Sequence, residues 1–457
     1  MNADRISKTA WLYFSISLLT ILEAFVKLSW LAPFTSVVIV LFVVIEFKYI
    51  PRRQRIAGII LAILGIVGAI WSGHWDTVLF DAIARSRIFL LLFFAVSWLQ
   101  FPANHSPSLQ AVRTAILNQQ SGRRFLFLAY GVHVLGSILN LAGLSLFSTT
   151  AREQKDSYLK RRVAMALIQG FTSASCWSPF YVGMIVVLVA IPTLKWSDVA
   201  PSGAVLAMAL IMTGWLYDRF AVRQDTGTSL TRAPTKSDLS ALEISRAMLI
   251  LGLLIIFVMA VLELAGVSIP IALGLVSPPF AIIWFSFTKF QSRSPIQRGM
   301  DLACKVVGGL PSLRNEAMVF VAANILGLGV ASAVPTSDLS SAISQIIPWA
   351  DAKIFLLFTI FVVCGFIGLH PVIVILFISS VLPPEALGLR DWIVGVVYLG
   401  CWGLCTMISP FSGTTLFMSR ETGVPAHVIA WKWASRPTIF QSFVLFQVTI
   451  IIRHMTL

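Results

Sequence analysis

The chain has 457 residues, of which 57% are hydrophobic and only 12% are charged. This composition excludes an ordinary soluble domain and is typical of a polytopic membrane protein. The net charge of +14 would indicate nucleic-acid binding in a soluble protein. In a membrane protein we expect this excess in loops, where it sets orientation, so we predict no nucleic-acid partner.

Apolar stretches of span length predict an all-α fold with eleven transmembrane helices. In chain order they cover residues 10–28, 31–47, 56–71, 77–100, 162–191, 201–220, 244–264, 269–290, 315–334, 391–418 and 437–452. The five cysteines lie in or near apolar stretches without a metal-binding spacing, so we predict packing roles for them and no metal site.

Two further apolar stretches, 125–149 and 353–382, are predicted to be re-entrant hairpins rather than spans. If both return to the side from which they entered and the N-terminus is inside, most of the 34 lysines and arginines lie in inner loops. If 125–149 crossed instead, the basic cluster at 155–162 would face outward, against the positive-inside rule. We therefore predict a protein of the inner (plasma) membrane with a cytoplasmic N-terminus and an outside C-terminus.

The triplet Ser-Pro-Phe occurs twice within apolar stretches, beginning at Ser178 and at Ser409, 231 positions apart. A proline inside a membrane helix interrupts the backbone hydrogen-bond ladder and frees carbonyls that must find other partners. A closely similar shift relates the two hairpins, which are expected to enter from opposite sides. The sequence therefore predicts an inverted-topology repeat, whose paired helix breaks are typical of the central site of a secondary transporter.

These features resemble the ion transporter superfamily, and most closely its divalent anion/sodium symporter branch. The resemblance rests on eleven spans, two opposed hairpins and an unwound segment that reads Ser-Pro-Phe-Ser-Gly-Thr-Thr from Ser409. The hairpin tips depart from that branch, because they read Gly-Ser-Ile-Leu-Asn from Gly136 and Gly-Leu-His-Pro from Gly368 where the branch carries Ser-Asn-Thr. The resemblance implies a homodimer in which a transport domain moves against a scaffold like an elevator.

The resemblance also divides the chain into two kinds of domain. The scaffold helices are expected in residues 1–100 and 244–335. The transport domain is expected to comprise two repeats, 123–220 and 353–457, each with one hairpin and one broken helix. A polar segment, 221–243, is predicted to be a flexible linker that joins the halves on the inner side.

Half-helix N-termini at hairpin tips and helix breaks present backbone N–H groups and a partial positive charge, so they can bind an anion without lysine or arginine. The predicted substrate-binding residues are Ser137, Asn140, Ser178, His370, Ser409, Ser412, Gly413, Thr414 and Thr415. All except Gly413, which offers its backbone, add a hydroxyl, amide or imidazole group. The predicted cation-coupling residues, where carbonyls at opposing helix ends can hold an ion, are Gly136, Ser137, Gly368 and Ser412. The alternative for each residue is a structural cap or turn.

Three other polar groups lie within apolar stretches. His133 is expected to be either a titrating group or a neutral histidine that is satisfied inside the protein. Asn324 is expected to hydrogen-bond between helices. Glu23 is expected to pair with Lys27, one helical turn later.

Together these patterns predict a secondary active transporter of a small anion, with a carboxylate as the first candidate, coupled to Na⁺ or H⁺. Its expected partners are the anionic substrate, the lipid bilayer and a second copy of the chain, and its only expected cofactor is Na⁺ as a coupling ion. One alternative is a Na⁺/H⁺ antiporter of the same superfamily, which would require a buried carboxylate near a break. Another is a non-transporting membrane scaffold or assembly protein, or an intramembrane enzyme. No catalytic motif is recognisable in the sequence, so we predict no enzymatic activity.

Overall fold

A computed structural model describes residues 6–117, 123–223, 241–288 and 294–456, and within these ranges the chain is helical and contains no strand. The helices of the first half are α1 (Lys8–Phe25), α2 (Leu31–Glu46), α3 (Arg52–Trp71), α4 (Trp75–His105), α5 (Pro107–Leu117), α6 (Arg124–Leu139), α7 (Leu141–Arg152), α8 (Ser157–Ser173), α9 (Val182–Ala190) and α10 (Trp196–Tyr217). Most of the predicted linker, 221–243, lies outside the described residues.

The helices of the second half follow in the same chain order. They are α11 (Ala241–Ala265), α12 (Ile269–Phe287), α13 (Pro295–Gly309), α14 (Arg314–Ala333), α15 (Thr336–Ile346), α16 (Ala350–Ile367), α17 (Pro371–Val381), α18 (Pro384–Leu387), α19 (Asp391–Ile408), α20 (Gly413–Thr422) and α21 (Ser435–Met455). Two π-helical turns, Asp218–Val222 and Val428–Ala434, extend α10 and precede α21.

Nine stretches of described helix are long and apolar enough to cross a membrane, judged by length and composition. Helices α6 and α17 are apolar but shorter. The count of eleven spans stays a prediction. Helices α5, α13 and α15 are absent from the predicted set, since none of them is a long continuous apolar stretch.

The chain divides into two units. The first comprises Met1–His105, Gly252–Ser340 and Leu376–Pro383, and the second comprises Ser106–Leu251, Ser341–Ile375 and Pro384–Leu457. Three helices, α11, α15 and α17, each contain a boundary and contribute residues to both units.

Helices α3 and α14 cross very closely inside the first unit. A Cβ atom added to Gly65 would collide with the carbonyl of Ile325, and one added to Gly329 would collide with the carbonyl of Gly65. Small residues permit such a close approach of two membrane helices, so van der Waals packing of backbone on backbone stabilises this pair.

Polar contacts inside the first unit join helices that are distant in sequence. The Asn324 side-chain amide on α14 donates to the Ser86 hydroxyl on α4 at 3.2 Å, which confirms the predicted interhelical bond. Glu23 pairs with Arg87 of α4 at 2.8 Å. The predicted pair of Glu23 with Lys27 is therefore wrong, because α1 ends at Phe25 and Lys27 no longer shares its helical face.

In the second unit α6 and α7 form a helical hairpin with a one-residue turn. The turn residue is Asn140, whose φ of 54° makes it the single non-glycine residue with positive φ among the described residues. Positive φ is uncommon for non-glycine residues, and asparagine is among those that adopt it most often. The chain through α16 and α17 also returns toward its start, because Lys353 Nζ on α16 donates to the carbonyl of Leu387 at 2.8 Å.

Both predicted helix breaks are confirmed. Helix α8 ends at Ser173, a single 3₁₀ turn follows, and α9 begins only at Val182, beyond Pro179. Helix α19 ends at Ile408 and α20 begins at Gly413, beyond Pro410. In each case the helix ends before the residue preceding proline, as the steric restriction on that residue requires.

Candidate functional site

The two Ser-Pro-Phe triplets adopt the same local hydrogen-bond pattern. In both, the serine N–H donates to the carbonyl four residues earlier, at 3.1 Å for Ser178 and 3.0 Å for Ser409. The phenylalanine N–H donates to the serine hydroxyl, at 3.2 Å and 3.4 Å respectively. The N–H of the residue after phenylalanine donates to the serine carbonyl, at 3.3 Å in both. Each serine therefore builds the turn that ends its half-helix.

The first break is held against the tip of the first hairpin. The Ser178 hydroxyl donates to the carbonyl of Ser137, and the Asn140 side-chain amide donates to the carbonyl of Phe180 at 3.4 Å. Because the Ser178 hydroxyl also accepts the Phe180 N–H, both of its roles are used inside the protein. These contacts position the tip and the break as one piece.

The tip of the first hairpin differs from the sequence prediction in its extent. The predicted turn included Gly136 and Ser137, but both lie in the last turn of α6. The Ser137 hydroxyl donates to the carbonyl of Val134 at 2.9 Å, which is a bond within its own helix. A Cβ added to Gly143 of α7 would collide with the backbone of Gly136, so these glycines allow the two arms to approach. Gly136 therefore has a packing role here, and its predicted role in cation coupling stays a prediction.

His133 lies in a one-way chain of hydrogen bonds beside the first break. The Trp177 Nε1–H donates to His133 Nε2 at 3.1 Å, so this nitrogen carries no proton. The Ser173 hydroxyl donates to the carbonyl of Gly170 at 2.8 Å, so its oxygen must accept from His133 Nδ1–H, which lies 2.8 Å away. His133 is therefore a neutral imidazole with both nitrogens satisfied, as one of the two sequence expectations had it.

The tip of the second hairpin is built differently from the first. Gly368 ends α16 with a φ of 96°, and a Cβ there would collide with the ring of Phe411 in the second break. His370 caps α17, because its Nδ1 accepts the backbone N–H of Val372 at 3.3 Å. Since Nδ1 accepts, the neutral imidazole carries its proton on Nε2, which has no partner among the described residues.

The ring of Trp402 on α19 connects the second tip to the first break. It lies edge-on to the His370 ring, with centroids 5.8 Å apart. A Cβ added to Gly183, in the first turn of α9, would lie 2.8 Å from the Trp402 ring. Sequence reasoning missed Trp402, which looked like one of several tryptophans in apolar stretches.

Helix α20 begins with a side-chain cap from Ser412. Ser412 is the N-cap, and its hydroxyl accepts the N–H of Thr415 at 3.1 Å and donates to the carbonyl of Thr406 at 2.7 Å. The N–H groups of Gly413 and Thr414 have no partner among the described residues, as is usual for the first turn of a helix. Gly413 is exposed, and a Cβ added there would meet no atom within 4 Å. Unpaired N–H groups at a helix N-terminus with open space beside it can bind an anion.

The C-terminal ends of α7 and α20 lie together in the second unit. Both helices pack on each other and on α8. Near their C-terminal ends, the Ser148 hydroxyl on α7 donates to Glu421 on α20 at 3.1 Å. Lys160, near the start of α8, donates to the carbonyl of Thr422 at 3.3 Å. Both helices therefore end beside the start of α8.

The second unit thus brings most of the predicted site residues into two clusters. One cluster contains Ser137, Asn140 and Ser178. The other contains Ser409, Ser412, Gly413, Thr414 and Thr415, and the adjoining tip adds Gly368 and His370. Thr414 and Thr415 are buried. Thr406, whose carbonyl holds Ser412, was missed, although the 231-residue shift from Ser175 in the first break points to it. Within the described ranges, no group of three acidic, histidine or cysteine side chains is placed to hold a metal.

One solved structure, a YdaH transporter from Alcanivorax borkumensis described as having an unusual topology, is similar to this chain. The TM-score is 0.52 at 14% sequence identity, and the match covers 87% of this chain and 98% of that one. The chain has a transporter-like helical fold. Its long apolar helices indicate an integral membrane protein. No family model matches the chain, and no curated protein matches its sequence.

Proposed function

We propose that this chain is a secondary active transporter that moves a small anion, with a carboxylate as the first candidate, across the inner membrane. The observation that carries the proposal is the N-terminus of α20. There, Gly413 is exposed, a Cβ added to it would meet no atom within 4 Å, and the N–H groups of Gly413 and Thr414 have no partner among the described residues. Such an arrangement binds negative charge without a cationic side chain.

An inverted repeat is the architecture we propose for this transporter. The shared hydrogen-bond pattern of the two Ser-Pro-Phe triplets supports it. Two contacts between residues 231 positions apart also support it, because equivalent residues of a two-fold repeat meet at the axis. Gln441 donates to the carbonyl of Leu210 at 3.0 Å. A Cβ on Gly403 would lie 3.1 Å from the carbonyl of Thr172.

Coupling to Na⁺ or H⁺ is part of the proposal. Three oxygens at the second break would hold Na⁺, namely the Thr406 carbonyl and the hydroxyls of Ser412 and Thr415. Each of the three lies within 3.4 Å of the other two. The alternative of a Na⁺/H⁺ antiporter has less support. No acidic residue lies in either break sequence, and Glu421 lies at the opposite end of α20 from the exposed N–H groups.

The mechanism and assembly that we propose follow the resemblance. The scaffold would comprise 1–100 and 244–335, and the transport repeats 123–220 and 353–457 would move as an elevator within a homodimer. The tight contacts that join the first tip to the first break, through Ser178 and Asn140, support movement of each hairpin together with its broken helix.

Uptake into proteoliposomes tests the proposal. The purified protein is reconstituted, and uptake of labelled carboxylates and inorganic anions is measured under an inward Na⁺ gradient, an inward H⁺ gradient or neither. We expect gradient-dependent uptake of at least one carboxylate, which stops when an ionophore collapses the driving gradient. Liposomes without protein are the control. If neither gradient drives uptake of any anion in the panel, the transport proposal is wrong.

A further inference from the structure

A basic groove in the second unit lies apart from both helix breaks. It has a volume of about 510 Å³ and is lined by the start of α8, the π-helical end of α10 and the π-helical stretch before α21. We propose that this groove, lined by Arg161, Lys432 and Arg436, binds the phosphate headgroup of an anionic phospholipid. The proposal requires a membrane protein but does not depend on the transported substrate.

The charge of the groove is uncompensated. Arg161, Lys432 and Arg436 all line it, and none has an ion-pair or hydrogen-bond partner among the described residues. No aspartate or glutamate lines the groove. The neighbouring acid, Asp218, is already neutralised by Arg162, whose Nε and Nη2 donate to its two oxygens at 2.8 and 2.6 Å. Three free cations converging on an open volume attract a phosphate group.

The position of the groove favours a lipid over a soluble anion. One wall lies where the apolar stretch Trp196–Val222 ends, and another lies where Val428–Met455 begins. Ends of apolar stretches of this length lie at the membrane surface, where lipid headgroups are. The groove therefore sits at headgroup depth.

Large exposed apolar side chains lie in the elements that line the groove. Phe220 is 78% exposed, and Trp431, which lines the groove, is 40% exposed. On α21, Ile439 and Phe440 are exposed about one turn beyond Arg436. A lipid fits such a surface, because its headgroup binds the cationic cluster and its acyl chains contact the exposed apolar side chains. A free phosphate would use the cationic cluster alone.

The backbone of both walls is unusual in the same way. Asp218–Val222 and Val428–Ala434 are π-helical turns, which are rare and occur often at functional sites. The wider π turn of Val428–Ala434 carries Trp431 and Lys432 into the groove lining together. This placement joins an interfacial aromatic ring to a cation at one headgroup position.

Lipid binding to the purified full-length protein tests the proposal. Binding of short-chain phosphatidylglycerol and phosphatidylcholine is measured by native mass spectrometry and by the shift in unfolding temperature. The test variant replaces the three cations (Arg161→Gln, Lys432→Gln, Arg436→Gln). Each basic residue near a membrane surface contributes a free energy that corresponds to about fivefold in affinity, so we expect about a hundredfold weaker phosphatidylglycerol binding.

A matched variant controls for overall charge. It replaces three exposed lysines outside the groove (Lys8→Gln, Lys27→Gln, Lys195→Gln) and should retain phosphatidylglycerol binding. Arg436→Lys keeps the charge and should also retain phosphatidylglycerol binding. If the triple variant unfolds, the single change Lys432→Gln replaces it, with an expected loss of about fivefold in affinity. Unchanged binding by the test variant, equal loss in the lysine control, or equal protection by inorganic phosphate at the same concentration would each overturn the proposal.

Discussion

Replacing Gly413 with alanine separates substrate binding from folding at the proposed site. The residue is exposed, its φ is not in the left-handed region, and a Cβ meets no atom within 4 Å, so the fold should accept a methyl group. Alanine should raise the free energy of unfolding by up to about 0.5–1 kcal/mol, because glycine loses more conformational freedom on folding. The same methyl group adds bulk beside the N–H groups of Gly413 and Thr414, where the proposed anion would bind.

The expected loss of function can be estimated from those hydrogen bonds. A hydrogen bond to a charged group contributes about 1.5–3 kcal/mol, so the loss of one N–H contact should raise KM for uptake roughly 10- to 100-fold. The assay measures KM in proteoliposomes and the unfolding temperature of the same preparation. Gly252→Ala is the matched control, because its Cβ also meets no atom within 4 Å and it lies inside α11, outside both break sequences. An unchanged KM for Gly413→Ala, with a raised unfolding temperature, would refute the proposed binding position.

Three further changes test how the helices are held. Ser178→Ala should lower the free energy of unfolding by about 1–3 kcal/mol in a denaturant or thermal assay, since a buried carbonyl and a buried N–H each lose their partner; an unchanged unfolding midpoint would argue against these bonds. His133→Leu should lower the free energy of unfolding by a similar amount, because it leaves the Trp177 N–H unpaired. His133→Gln, whose side chain can both donate and accept, should lower it less. Equal losses would contradict the hydrogen bonds assigned to His133. Gly65→Ala should prevent recovery of a monodisperse protein in size-exclusion chromatography, because its Cβ meets the α14 backbone, and normal recovery would contradict the close crossing.

The parts of the fold that the sequence could predict are those with a strong local signal. Pro179 and Pro410 mark the two breaks, since proline cannot continue a helix without losing a hydrogen bond. The hairpin over 125–149 was predictable from its length and from the charges that flank it. Asn324 was predictable as a polar group that needs a partner inside an apolar helix.

The parts that escaped prediction depend on which helices meet. The turn of the first hairpin was assigned too broadly, because glycine at 136 signals a turn and a close helix contact equally well. Glu23 pairs across helices with Arg87, and sequence spacing alone offered only its local neighbour. The open space at Gly413 and the placement of Trp402 are properties of packing, which no periodicity in one chain reveals.

The fixed direction of the hydrogen bonds around His133 has a consequence for proton movement. A proton relay works by reversing the donors along its path in turn. Here an incoming proton at Nε2 would have to displace the indole of Trp177, which has a single N–H and no lone pair with which to accept. The imidazole at 133 therefore cannot pass a proton on through Trp177, whereas His370 Nε2 has no partner among the described residues that would block it.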